Sequence, residues 1–179
     1  DGFLHNSYKR IPGEWEREVR LRTAYKLSGP CRIRQVPGDG NCLFHSIALC
    51  LSTSTIHNFA TNQEHLDELY EISKRLRSDA VKVLLQGSSK TSQRLYLQGR
   101  EWLSCSQLVQ AAAQQYKLSS EEYICNMQQD SVWGGGPEIV ALCNLLQRPI
   151  HVYELAVDDG EFVLRRMACF GSPRYDRNE

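Results

Sequence analysis

The chain has 179 residues, with 21 Lys plus Arg set against 21 Asp plus Glu, so its formal net charge is zero. That length suits one domain with a sizeable core, and the charge balance leaves no electrostatic case for binding nucleic acid or an anionic membrane. No apolar stretch approaches the ~20 residues of a membrane span, and no signal peptide is visible, although the chain opens on Asp1 rather than Met.

Residues 1–12 read as an irregular arm. Pro12 to Leu27 is charge-rich, with Trp15 and Val19 on one helical face, and predicts a surface helix stopped by Ser28-Gly29-Pro30. Residues 1–30 thus form an arm and a surface helix, and 31–179 the main domain. Cys31 to Val36 alternates Cys and Ile with Arg and predicts a strand. A turn, Pro37-Gly38-Asp39-Gly40-Asn41, leads into the apolar run Leu43 to Leu51, which predicts a buried helix. Ser52 to Asn62 reads as a polar loop in which His57 is solvated. Leu66, Leu69, Ile72, Leu76, Ala80, Val83 and Leu84 recur at helical spacing and predict a long amphipathic helix over 63–86, capped by Gly87.

Gly87 to Thr91 reads as a loop. Ser104 or Ser106 then caps a helix running to Tyr116, and Ser119-Ser120-Glu121-Glu122 offers a capping box for a short helix over 121–128. A Gly-rich loop around Trp133 precedes Pro137, which suits the first turn of a helix striped by Ile139, Leu142, Cys143 and Leu146. Ile150 to Leu155 predicts a strand, Asp159-Gly160 a hairpin turn, and Glu161 to Phe170 the partner strand. The expected class is α+β: a small central sheet, from one early strand and a late hairpin, covered by helices on both sides.

Chemistry concentrates at Cys42, where the turn becomes the helix. A helix start carries unpaired N–H groups and a partial positive charge, which favour a thiolate and can hold an oxyanion on a carbonyl under attack. The amides of Gly40, Asn41 and Cys42 are the expected donors. Asp39 is placed to brace the turn by accepting backbone N–H bonds. The seven cysteines include no CxxC pair, which argues against zinc and thioredoxin-type chemistry and points to no metal or cofactor. Reduced thiols in an intracellular, most simply cytoplasmic, setting are expected. An Arg six residues after Cys42, as a phosphatase loop needs, is absent, since Ala48 stands there.

The string Asp39-Gly40-Asn41-Cys42-Leu43-Phe44, followed by His45-Ser46-Ile47, resembles the signature of the ovarian tumour (OTU) domain cysteine proteases, most closely the OTU-like proteases of plants. A second block agrees: Tyr123, Trp133-Gly134-Gly135, Glu138 and Ile150-His151-Val152-Tyr153-Glu154. The resemblance implies a deubiquitinase that cuts after the C-terminal glycine of ubiquitin, acting as a monomer on ubiquitin or ubiquitin chains. It implies Cys42 as nucleophile and counts Asp39 with the active site. Trp133, Gly134 and Gly135 are then expected to wall a narrow channel for a Gly-Gly tail. Glu138 either faces basic residues of that tail or occupies a helix first turn, where acids are favoured.

One departure matters. The family's histidine lies late, and none of His5, His45, His57, His65 and His151 matches it. His45 is expected to pack within its helix, facing away from the sulfur, and His151 comes too early. Either Arg174-Tyr175-Asp176 replaces a His-Tyr-Asp motif, giving an inactive ubiquitin-binding protein, or the histidine-bearing strand lies beyond Glu179. The second is the expectation here, and in both cases little hydrolase activity is expected of the chain as given.

Overall fold

The long stripe expected over 63–86 forms helix α2, Gln63–Leu85, around which the other helices gather. The computed structural model describes residues 16–20, 30–52, 55–86, 93–158, 161–172 and 174–175. Helix α1 is Cys42–Leu51, α3 Cys105–Gln115, α4 Ser120–Met127 and α5 Gly136–Leu146. The expected capping box of Ser119 with Glu122 starts α4, and of the two serines offered as the cap of α3 it is Ser104 that serves, in a box with Gln107. Asn62 starts α2 by accepting the amides of Glu64 and His65. Gly87, expected to cap α2, lies outside the described residues.

The stripe residues Leu69, Leu76, Ala80 and Leu84 meet Phe44 and Ala48 of α1, Leu108 and Ala112 of α3, Tyr123 of α4 and Leu142 of α5 in one core. Each large apolar side chain sealed there contributes about 1.5–3 kcal/mol. The arrangement puts α1, and so Cys42, directly against α2.

Strand β1 is Glu16–Arg20, β2 Pro30–Arg34, β3 Arg94–Tyr96, β4 Trp102–Ser104, β5 Ile150–Asp158 and β6 Glu161–Phe170. Four of them form a sheet in the order β2-β1-β6-β5. The late hairpin is as expected, with Ile150 opposite Phe170 and Asp158 opposite Glu161. The surface helix expected over 12–27 is corrected where it is described: Glu16 to Arg20 is a strand, antiparallel to β2 and parallel to β6. Helical propensity is a weak preference, and here it yields to pairing with β2 along the strand and with β6 at Arg20. The rest of that segment, the arm before it and the Asp159-Gly160 turn lie outside the described residues.

Residues 94–104, unread in the sequence, form a second sheet, the hairpin β3-β4, turning through Gly99 at φ +60°. The Asn144 carboxamide of α5 takes the place of a further strand on it. Its Oδ1 accepts the Tyr96 amide at 2.9 Å and its Nδ2 donates to the Tyr96 carbonyl at 2.8 Å. His57 is half-buried rather than solvated. Arg34, which can only donate, gives a hydrogen bond to its Nδ1 at 2.6 Å, so the ring carries its proton on Nε2, facing the Ser52 carbonyl at 3.2 Å. This imidazole ties β2 to the turn after α1. Among the described residues no helix is long and apolar enough to cross a membrane.

Candidate active site

Cys42 is the first residue of α1 and is partly exposed. The turn before it is built from both ends. Asp39 Oδ1 accepts the Asn41 amide at 2.8 Å, the brace that an Asp in such a turn supplies. Its other oxygen, Oδ2, lies 3.2 Å from His45 Nε2. His45 is fully buried; its Nδ1 meets Ser73 Oγ of α2 at 2.7 Å and its ring lies edge-on to Tyr70. Burial pushes the Asp39 carboxyl up, and the bonds from the Asn41 amide and His45 outweigh it, so its pKa lies below the ordinary carboxylate value.

Gly40 is required twice over. Its φ is +96°, which only glycine adopts readily, and a Cβ there would fall onto the Ser131 carbonyl group. At Gly134 a Cβ would come within 2.9 Å of Leu43 Cδ2 and 3.2 Å of the Phe44 ring, so those two side chains would have to shift. The glycines therefore press the turn before Cys42 and the loop around Trp133 against each other.

The structure departs from expectation on three points. The Asn41 amide, expected among the oxyanion donors, is engaged by Asp39, which leaves the Gly40 and Cys42 amides without a hydrogen-bonded oxygen among the described residues. The thiolate expected at the helix start is not favoured: burial pushes the Cys42 thiol up and the Asp39 charge adds to it, while the Leu43 and Cys42 amides and Arg77 pull down without offsetting them. And of the two places expected for Glu138, facing a bound tail or sitting in the helix first turn, it takes the second and faces inward. It is 1% exposed, accepting the Tyr123 hydroxyl and the Gly135 amide, each at 2.8 Å, so it holds Gly135 in place from the first turn of α5. Burial raises its pKa despite those two bonds.

Trp133, by contrast, is 68% exposed, unlike a core anchor. A cavity of about 730 Å³ opens beside α1, lined by Leu43, Ser46 and Ile47, by Ile139 and Leu146 of α5, and by Ile150 to Tyr153 of β5. His151 faces this cavity and its Nε2 lies 3.6 Å from Cys169 Sγ across the hairpin. Among the described residues no imidazole is hydrogen-bonded to Cys42. His45 faces Asp39 and Ser73, and His57 faces Arg34 and Ser52. Arg174 lies exposed in the turn after β6; His5 lies outside the described residues. Among the described residues, no three His, Cys, Asp or Glu side chains gather to hold a metal.

A raised thiol has a direct consequence. The rate at which iodoacetamide alkylates Cys42 should still be climbing at pH 9.0, the ordinary thiol value, because the reactive thiolate is the minor form below the folded pKa. Alkylation rates of the peptide carrying Cys42, measured between pH 6 and 10, test this; a plateau below pH 8 would contradict it.

Sequence reasoning missed Arg77. This α2 residue is 2% exposed, and its guanidinium reaches both sides of the site. It donates to Asn41 Oδ1 and the Gly40 carbonyl on one side, and to the carbonyls of Met127, Asp130 and Val132 on the other. A signal was present: Leu69, Ser73, Arg77, Ala80 and Leu84 share one helical face, so Arg77 is a cation on an apolar stripe.

A family model described as OTU-like cysteine protease matches residues 37–171. The chain is similar to the ovarian tumor domain-containing deubiquitinating enzyme 4 of Arabidopsis thaliana, 26% identical over 143 residues, covering 79% of this chain and 35% of the relative. The chain thus spans about a third of the length of that curated relative. No solved structure matches it.

Proposed function

The chain belongs to the OTU-like cysteine protease family, and from that premise we propose that it is a deubiquitinase domain acting on the bond after the C-terminal glycine of ubiquitin. The supporting observation is the braced turn that delivers Cys42 at the head of α1 with two amides open beside it. Cys42 Sγ attacks the glycine carbonyl. The carbonyl oxygen becomes an oxyanion that the Gly40 and Cys42 amides receive. The C–N bond then breaks as the leaving amine takes up the proton that the Cys42 thiol gave up, and water later releases ubiquitin from the thioester, its proton returning to the sulfur. Asp39 braces the turn. Trp133, Gly134 and Gly135 seat the tail, and Glu138 supports them through the Gly135 amide.

A second reading, an OTU-like domain that holds ubiquitin without turning it over, is favoured by one observation. The Cys42 thiol is raised, and no described imidazole is bonded to it to take its proton or protonate the amine. One experiment bears on both. Ubiquitin ending in a thiol-reactive group should form a covalent adduct at Cys42, lost entirely in Cys42→Ser. Trp133→Ala should weaken capture roughly tenfold, on the scale of an exposed aromatic anchor, without shifting the melting temperature. Absence of any adduct in the intact chain refutes the deubiquitinase reading. Cleavage of ubiquitin chains by the adduct-forming chain would overturn the second.

A further inference from the structure

The turn before Cys42 and the loop before Trp133 are separated in sequence by nearly a hundred residues, yet a single side chain holds them. Arg77 Nε donates to Asn41 Oδ1 at 2.9 Å, and Nη2 donates to the Gly40 carbonyl at 2.9 Å and the Val132 carbonyl at 2.6 Å. Nη1 donates to the Met127 carbonyl at 3.1 Å, and a longer bond of 3.4 Å reaches the Asp130 carbonyl. The guanidinium lies over the Phe44 ring, 4.5 Å from its centre. All five acceptors are neutral oxygens. The cation therefore orients backbone rather than neutralising a carboxylate, and its planar fork fixes the directions of several acceptors at once, which a lysine cannot do.

Its grip has a second effect. Asn41 is the N-cap of α1, yet its side chain makes no capping bond, because its oxygen is turned to Arg77. The two loops held this way meet at glycines: Gly40 against Ser131, Gly134 against Leu43 and Phe44. A Cβ at either glycine would overlap the facing element, so the loops have no room to come closer together.

We infer that Arg77 is a positioning residue that sets the gap between the nucleophile turn and the 132–135 loop, and thereby the selection of a tail with glycine next to its reactive end. This rests on the reading of Cys42 as the nucleophile for a glycine-ended tail. Arg77 touches no substrate; it acts through Gly40, Asn41 and Val132.

The test uses the intact chain and two ubiquitin probes ending in a vinyl Michael acceptor. Cys42 Sγ adds to the alkene carbon, and the thiol proton ends on the neighbouring carbon. One probe keeps glycine beside the vinyl group and the other carries alanine there. The unaltered chain should react with the glycine probe at least tenfold faster. Arg77→Lys should narrow that ratio to about threefold or less. Should Arg77→Lys melt below the assay temperature, Asn41→Ser carries the test. Serine still caps a helix but cannot reach Arg77 Nε, and the ratio should narrow at least threefold. A folded Arg77→Lys or Asn41→Ser that keeps the full ratio overturns the inference, as does an unaltered chain that accepts both probes equally. An unaltered chain that ignores both probes while iodoacetamide alkylates Cys42 overturns the deubiquitinase reading itself.

Discussion

Arg77→Met should lower the melting temperature of the chain by roughly 10 °C. Methionine fills much of the same volume but donates nothing, so the Gly40, Met127 and Val132 carbonyls and Asn41 Oδ1 lose a charged donor inside the protein. Hydrogen bonds to charged groups are worth about 1.5–3 kcal/mol each, and a buried acceptor left unmatched costs about 1–3 kcal/mol. Relief from burying a cation offsets part of this, which leaves a net loss of about 3–5 kcal/mol. At this chain length each kcal/mol moves the midpoint by about 2–4 °C. Arg75→Met, two residues away on the exposed face of α2, should change stability by less than about 0.5 kcal/mol. Calorimetric melting of the two variants beside the parent chain checks the contrast; equal midpoints would mean that the Arg77 bonds add nothing net.

Gly40→Ala should be the next most damaging change. Alanine at φ +96° costs about 1–2 kcal/mol for the backbone conformation alone. Its Cβ would also overlap the Ser131 backbone, and forcing an extra methyl into packed surroundings costs about 1–3 kcal/mol. The sum, about 2–5 kcal/mol, falls on the contact between the two loops, so capture of a ubiquitin electrophile at Cys42 should drop by at least tenfold as well. Gly136→Ala is the control. A Cβ there meets nothing within 4 Å apart from its chain neighbours, and the clash of a pre-proline Cβ with the Pro137 ring offsets the usual gain of alanine over glycine in a helix, so the change in stability should stay below about 1 kcal/mol. A Gly40→Ala protein that melts and reacts like the parent would refute the account of the turn.

Most of the helical layer was legible because it is specified locally. The α2 stripe, the Ser119-Glu122 box and the proline opening α5 each combine a periodic apolar face with a start signal within a few residues. Strand β1 was not legible because nothing within 16–20 demands extension; its partners, β2 and β6, lie elsewhere in the chain. The β3-β4 hairpin was missed for a related reason: its strands span three residues each, too short for a period of two to register.

The site divides along the same line. The motif exposes Cys42, Asp39 and the glycines, since a turn that must be tight writes itself in Asp, Gly and Asn. It does not tell which amide Asp39 will occupy, and the answer removes Asn41 from the oxyanion donors. Nor does it tell that burial outweighs the helix start at the Cys42 thiol, because burial depends on what α2 and the later loops bring. Glu138 shows both halves. Its place in a helix first turn was readable, but its pairing with Tyr123 depends on how α4 and α5 meet.

The Asn144 carboxamide on Tyr96 carries a consequence for behaviour at high concentration. A short strand with an open edge invites the same strand of a neighbouring molecule to zip alongside, the first step towards fibrous aggregates. Here an amide side chain from α5 already occupies the Tyr96 peptide group, donor to acceptor and acceptor to donor. At that residue the hairpin is closed by its own helix and gives a neighbouring chain no foothold for sticking.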